Sequence, residues 1–274
     1  MPTQQEKAEK FLALHQAPSP LLIPNPWDIG SAKLLVSLGF DALATTSGGF
    51  AGTLGRPDGR VSRDEALAHA AAVSAAVDVP VSADLENCFA HDPEGVAATV
   101  RAAVGTGLAG CSVEDFGQRS VDDVYDPGLA RERVAAAAEA AHSGQVRLVL
   151  TARAENFIRN RPDLDDTIAR LQAYQEAGAD VLYAPGLRSL DDIRQVVASV
   201  DRPVNVLALP GVPPVADLAA VGVARISVGS SFANVAWGAV VEAAEELRRD
   251  GTYRWTERAA TGGRAARAAF GPGG

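Results

Sequence analysis

The sequence predicts a single-domain (β/α)8 TIM barrel with a C-terminal helical extension. Three observations carry that prediction. Short runs rich in β-branched and leucine residues, apolar on both faces, alternate eight times with longer helical stretches. Four joins from helix to strand share one form built around a glycine. The chain has 274 residues, which suits one α/β barrel and its full core. An open doubly wound sheet is the alternative, since strand counting is what separates the two.

The expected strands, in order, are Leu21–Ile23, Ala42–Thr45, Val81–Ala83, Cys111–Val113, Leu148–Thr151, Val181–Tyr183, Val204–Leu207 and Ile226–Val228. Leu38-Gly39-Phe40-Asp41, Thr106-Gly107-Leu108-Ala109, Ala177-Gly178-Ala179-Asp180 and Val221-Gly222-Val223-Ala224 lead into four of them. A glycine past a helix end takes the left-handed conformation without a Cβ clash, so the strand begins within a few residues. Asp78-Val79-Pro80 and Asp201-Arg202-Pro203 lead into two others, where proline forces the chain out of the helix. Ser62-Arg63-Asp64-Glu65 has capping-box spacing, and Ser189-Leu190-Asp191-Asp192 is acidic in its first turn. Residues 1–258 form the barrel domain with its C-terminal helix. The Ala/Gly/Arg-rich segment 259–274 reads as a poorly ordered tail.

The net charge of −9 argues against nucleic acid or an anionic membrane as the main partner. Cys88 and Cys111 form no CxxC or His/Cys cluster, so a structural zinc is not expected; a disulfide between them is the alternative to two reduced thiols. The polar segment Met1 to Lys10 lacks the apolar stretch of a signal peptide, and no run is long enough to cross a membrane. A reduced cytoplasmic protein is the expectation.

In α/β barrels the chemistry collects at the C-terminal ends of the strands. Here those ends carry Thr45-Thr46-Ser47-Gly48-Gly49, Asp84-Leu85-Glu86, Glu114-Asp115, Arg153-Ala154-Glu155 and Tyr183, with Asn205 in the seventh strand. Strand alternation puts Ser82, Asp84 and Glu86 on one face, Ser112 and Glu114 on another, and Thr151 and Arg153 on a third. If these faces point inward, three carboxylates from neighbouring strands converge near one arginine, and Cys111 points outward. Clustered carboxylates repel, and a cation resolves the conflict. Oxygen ligands without His or Cys suit Mg²⁺ or Mn²⁺, with Asp84 in direct contact and Glu86 and Glu114 holding waters. Any one of these acids reads equally well as a helix cap or an arginine partner; the set on one face favours the metal. Ser47-Gly48-Gly49 offers backbone N–H groups to a carboxylate or phosphonate, though alone it reads as a tight loop. The glycine- and proline-rich segment from Phe50 to Val61 suits a mobile lid.

Other patterns carry less. Gly105-Thr106-Gly107-Leu108-Ala109-Gly110 matches the dinucleotide fingerprint but ends a helix and enters a strand, the reverse of the required context. The four histidines are scattered, and no Ser-His-Asp set or Walker loop is present. Cys88 and His91 follow the third strand and could approach the site, but the reading as ordinary loop residues is favoured for both.

From about Pro24 to Tyr253 the chain resembles the isocitrate lyase / phosphoenolpyruvate mutase superfamily. The carriers are Asn25-Pro26-Trp27-Asp28, Thr46-Ser47-Gly48-Gly49, Gly55-Arg56-Pro57-Asp58, Ala83-Asp84-Leu85-Glu86, Val113-Glu114-Asp115 and Thr151-Ala152-Arg153. Ala154-Glu155-Asn156-Phe157 and Leu182-Tyr183-Ala184-Pro185-Gly186 make it similar to the phosphonomutase-like branch. The resemblance implies that Ser47, Gly48 and Gly49 grip the substrate carboxylate. It places Asp58 on a gating loop, Asp84 on Mg²⁺ with Glu86 and Glu114 in support, and Arg153 on the substrate. Asn205 matches a substrate-binding position, and Tyr183 joins that set. It also implies homotetramers with exchanged C-terminal helices.

The sequence departs from the family's isocitrate and methylisocitrate lyases. Phe116-Gly117-Gln118-Arg119-Ser120 stands where they carry a Lys-Lys-Cys-Gly-His loop, so those two activities are not expected. The leading expectation is cleavage of a C–C bond next to a small 2-oxo acid, or decarboxylation, through a pyruvate enolate. Decarboxylation needs no general base to start it. A retro-aldol cleavage does, with Asp58, Glu86 and Tyr183 as candidates. The alternatives are P–C bond chemistry on a phosphonopyruvate-like substrate, and a barrel that binds without catalysis.

Overall fold

The computed structural model describes residues 2–117, 120 and 123–271. Eight strands, all parallel, form one sheet: β1 (Leu21–Ile23), β2 (Leu43–Ala44), β3 (Val81–Asp84), β4 (Gly110–Glu114), β5 (Val149–Arg153), β6 (Val181–Tyr183), β7 (Val204–Leu207) and β8 (Arg225–Ser227). Their order is β1-β8-β7-β6-β5-β4-β3-β2. At the seam the Ala44 N–H donates to the Pro24 carbonyl at 3.2 Å, bringing the end of β2 to the end of β1. The nearly closed ring settles the choice in favour of the barrel over the open sheet.

Between the strands run α2 (Ile29–Ser37), α3 (Ser47–Thr53), α4 (Arg63–Ala75), α5 (Pro93–Val104), α6 (Pro127–His142), α7 (Leu164–Glu176), α8 (Leu190–Ala198) and α9 (Val215–Ala220). Ser62 and Glu65 do form a reciprocal cap on α4, and Ser189 caps α8. The main core lies between strands and helices and includes Val73, Val113, Leu150, Leu171, Leu182 and Ile193. Cys88 and Cys111 are free thiols buried in that layer. The 105–110 run ends α5 and enters β4, with Gly107 at φ +81°, as its reading as a helix end requires.

Residues 4–14, which carried no strand or helix expectation, form α1 (Gln4–Leu14), capped reciprocally by Thr3 and Glu6. Its Ala8 and Phe11 join Leu21, Ile23, Val149 and Val181 in a second apolar cluster. Phe11 sits close to Gly110, where a Cβ would lie 2.8 Å from its ring.

After β8 come α10 (Ser231–Asp250) and α11 (Thr256–Phe270). The expected disordered tail is thus corrected for residues 259–270, and the boundary at 258 falls inside a helix. Six of those residues are alanine, the best helix former, and their helix packs along α2 with Ala269 buried. Residues 272–274 lie outside the described part. Along α10, Val235 and Val240 are 69% and 67% exposed, and Trp237, Val241 and Leu247 are also exposed. Among the described residues no helix is long and apolar enough to cross a membrane.

Candidate active site at the C-terminal mouth of the barrel

Two adjoining cavities open at the C-terminal ends of the strands. One, of about 200 Å³, is lined by Ser82 and Asp84 of β3, Ser112 of β4, Thr151 and Arg153 of β5, Tyr183, and Arg225 and Ser227 of β8. Strand alternation therefore held for these side chains. The other, of about 470 Å³, is lined by Glu86, Glu114, Arg159 and Phe116. Ser47, Asp58 and Arg153 border both.

Arg153 is the hub. Its Nη1 donates to Asp84 Oδ1 at 3.0 Å, and its Nη2 lies 3.2 Å from Glu114 Oε2 and 2.9 Å from Glu155 Oε1. Arg159 adds a second cation 3.4 Å from Glu155 Oε2. Burial opposes the Arg153 charge, but Glu155, Glu114 and Asp84 outweigh it and hold the pKa well above the guanidinium range. Burial pushes the Glu114 carboxyl well up, the Glu155 charge adds to this, and Arg153 pulls the other way. Glu155 stood in the sequence at the end of the fifth strand and in a family-like string, but was given no role.

Asp84 ends β3, and its Oδ2 accepts from the Ser47 N–H at 3.2 Å. Glu86 lies past the end of the strand with φ +52°, so alternation does not explain its direction. It reaches the second cavity through a left-handed turn instead.

Ser47-Gly48-Gly49 is the first turn of α3 rather than a loop. The Ser47 N–H is taken by Asp84, and the Gly49 N–H by Thr46 Oγ1 at 3.3 Å. Among the described residues the Gly48 N–H has no hydrogen-bond partner, but of the three only Ser47 is on the wall of a cavity. A Cβ at Gly49 would fall 2.5 Å from Thr46 Cγ2 and 2.9 Å from Trp27 Cβ, so the position has room for glycine alone. Asp58 borders both cavities, within the segment expected to act as a lid.

Tyr183 lies under Arg153, its ring centroid 5.2 Å from the guanidinium carbon. Burial pushes its phenol up to about 12. It is therefore a neutral donor at ordinary pH and is removed from the candidates for a general base. Asn205 is not on the cavity wall. It stands behind the wall, donating to Ser227 Oγ at 3.0 Å and accepting from Arg225 Nε at 2.9 Å. The sequence reading missed Arg225, which fell between the Val221-Gly222-Val223-Ala224 join and the expected run Ile226–Val228; the structure makes it the first residue of β8, facing the barrel axis. Cys88 is buried in the outer core and His91 bonds to the Tyr125 hydroxyl, so neither reaches the cavities. Gln118 and Arg119, part of the departing loop, lie outside the described residues.

Fold and site together define an α/β barrel with an arginine–carboxylate centre at its C-terminal mouth. The family model for phosphoenolpyruvate phosphomutase matches residues 11–248, and the chain belongs to that family, within the isocitrate lyase / phosphoenolpyruvate mutase superfamily. A Burkholderia cenocepacia J2315 protein provisionally classed as a lyase or mutase has a solved structure that superposes with a TM-score of 0.95. It is 48% identical, with 98% of each chain covered. An uncharacterised protein of Mycobacterium tuberculosis is 35% identical over 80% of this chain and 81% of its own. An oxaloacetate decarboxylase of Chromohalobacter salexigens is 27% identical over 91% of this chain and 86% of its own.

Proposed function

We propose that this chain is a Mg²⁺-dependent lyase that breaks a C–C bond next to the 2-oxo group of a small acid and passes through a pyruvate-type enolate. The observation that supports it most is the placement of Arg153, a partly buried cation between Asp84 and Glu114 on the wall shared by two cavities. The similarity to an oxaloacetate decarboxylase over most of the chain agrees with it.

The residues fit the ion. Among the described residues no three His, Cys, Asp or Glu side chains are grouped to hold a metal by themselves. Mg²⁺ does not require that, since it keeps waters and binds through one or two carboxylates and the substrate. Asp84 on the cavity wall would be the direct ligand, with Glu86 and Glu114 holding waters; Mn²⁺ suits the same donors. When bound, the ion supplies Lewis-acid polarisation of the 2-oxo oxygen.

The chain's own residues do the rest. The Gly48 N–H and the Ser47 hydroxyl orient the substrate carboxylate. Arg153 faces the oxygen on which negative charge grows as the C–C bond breaks. Tyr183 supports Arg153 from below as a neutral phenol. In decarboxylation the electron pair of the broken bond stays on the pyruvate fragment as the enolate. CO₂ departs, and a proton from solvent completes pyruvate. Asp58 sits on the segment that closes over the site. The exposed apolar stripe on α10 supports assembly into a homo-oligomer.

The family model itself supports a second reading, P–C chemistry on a phosphonopyruvate-like substrate at the same residues. Pyruvate release from oxaloacetate, against conversion of phosphonopyruvate to phosphoenolpyruvate or to pyruvate and phosphate, each with and without EDTA, separates the two. None of these products from either substrate favours a barrel without catalysis. Asp84→Ala is expected to remain folded and to lose on the order of a thousandfold in Mg²⁺-dependent kcat/KM. Unchanged turnover in that variant rules out the metal role.

A further inference from the structure

The cavity does not stop at the Arg153 layer. A barrel interior is ordinarily filled by bulky branched side chains. Here Ala44, Ser82, Ser112, Thr151 and Ser227 leave it open, and Arg225 lines it too. Thr151 lies two residues before Arg153 on the same strand, so it marks a layer about 6.6 Å deeper. Arg225 Nη1 donates to Thr151 Oγ1 at 3.0 Å, which places its guanidinium at that depth.

Arg225 is 5% exposed, and its partners are all neutral. Nε donates to Asn205 Oδ1 at 2.9 Å, and Nη1 also lies 3.3 Å from His15 Nε2. Burial, with Arg225 beside it, holds the His15 pKa at about 3, so the ring is neutral. Its Nδ1 lies 2.7 Å from the Phe11 carbonyl and must donate there, which leaves the Nε2 lone pair to accept from Arg225. Burial pushes the Arg225 pKa down to about 10. Among the described residues Arg225 forms no ion pair with a carboxylate, and its Nη2 makes no hydrogen bond. Arg133 is also buried without a carboxylate, but it gives its donors to the carbonyls of Asn87, Ala90 and His91 and borders no cavity described above. A buried cation beside open space and without an anion is costly, and an anionic ligand removes the cost.

We infer that Arg225 is a second anion anchor at the closed end of the cavity, which takes one carboxylate of a dicarboxylate substrate. This rests on the small-acid reading of the site. The depth between the Arg153 and Thr151 layers is about the length of a short linear dicarboxylate. Asn205 and His15 are positioning residues that aim the guanidinium.

Succinate and butyrate differ by one carboxylate and serve as probes. Calorimetric titration of the full chain in Mg²⁺ buffer should find succinate at least about tenfold tighter. Arg225→Gln should abolish that preference and leave butyrate affinity unchanged. No preference in the wild type, whether both acids bind or neither does, overturns the inference, as does a preference that survives in Arg225→Gln. Should that variant fail to fold, a crystal structure of the wild type with succinate decides. A carboxylate bonded to Arg225 supports the anchor, and both carboxylates at the mouth overturn it. A succinate preference in a protein that releases no pyruvate from oxaloacetate upholds the anchor while removing the lyase reading.

Discussion

Glu114 and Asp115 are consecutive, both buried, and face opposite sides of the barrel wall. Asp115 turns outward to α7. It accepts from Arg170 Nη1 at 3.0 Å, the Tyr174 hydroxyl at 2.6 Å and the Glu155 N–H at 2.8 Å. Glu114 turns inward to the cavity and shares Arg153 with Glu155 and Asp84. Burial pushes both carboxyls up. For Asp115 the Tyr174 hydroxyl, the Glu155 amide and Arg170 pull back. For Glu114 the Glu155 charge pushes further. The outer acid is completed by the protein and holds structure. The inner acid is left short of donors, which is tolerable where a ligand or ion completes the set.

Breaking the outer network should have the largest effect on stability. Asp115→Ala leaves Arg170 its contacts with Asp166 and the Tyr125 carbonyl but removes the buried acceptor of the Tyr174 hydroxyl and the Glu155 N–H, and should cost about 3 kcal/mol in urea unfolding. A loss below about 1 kcal/mol would erase the contrast between the two sides. Next, Arg153→Lys should keep the fold and lower kcat/KM by about a hundredfold, because an ammonium cannot span three carboxylates at once. Wild-type kinetics in that variant would remove Arg153 from the chemistry.

The smallest effect sharpens the comparison. Glu114→Gln should stabilise the protein by about 1 kcal/mol at pH 7 in EDTA, with a loss of Mg²⁺-dependent activity. The sign follows from the raised pKa. Below the unfolded value near 4.5 both states are protonated and the variant has no advantage. Above it the unfolded wild type gives up its proton first, and the advantage grows with pH until the folded pKa is passed. A variant less stable than wild type at pH 7, read from melting temperature against pH, would mean that Arg153 alone satisfies Glu114.

Much of this site was legible. The inward placement of Asp84, Glu114 and Arg153 follows from a period of two along short strands, which the fold preserves wherever the strand is regular. It failed at Glu86, where the backbone leaves the strand for the left-handed region. The same period, carried past the strand end, puts Glu155 on the face of Arg153, where its carboxylate is found, though the sequence reading gave it no role. The 259–270 segment was misread for a different reason. Composition alone does not distinguish an alanine-rich tail from a helix when the face that it packs on, here α2, is more than 200 residues away in sequence.

The sequence by itself determined the eightfold strand–helix rhythm, the caps and glycine joins, and the side of each strand on which the acids stand. Those are local properties, set by steric limits and by alternation over a few residues. Tertiary structure alone decided which charges meet. Arg225 joins His15, Thr151 and Asn205 only because closing the sheet brings the ends of the chain to its middle. Electrostatic balance depends on distance through space, and no spacing along the chain encodes it.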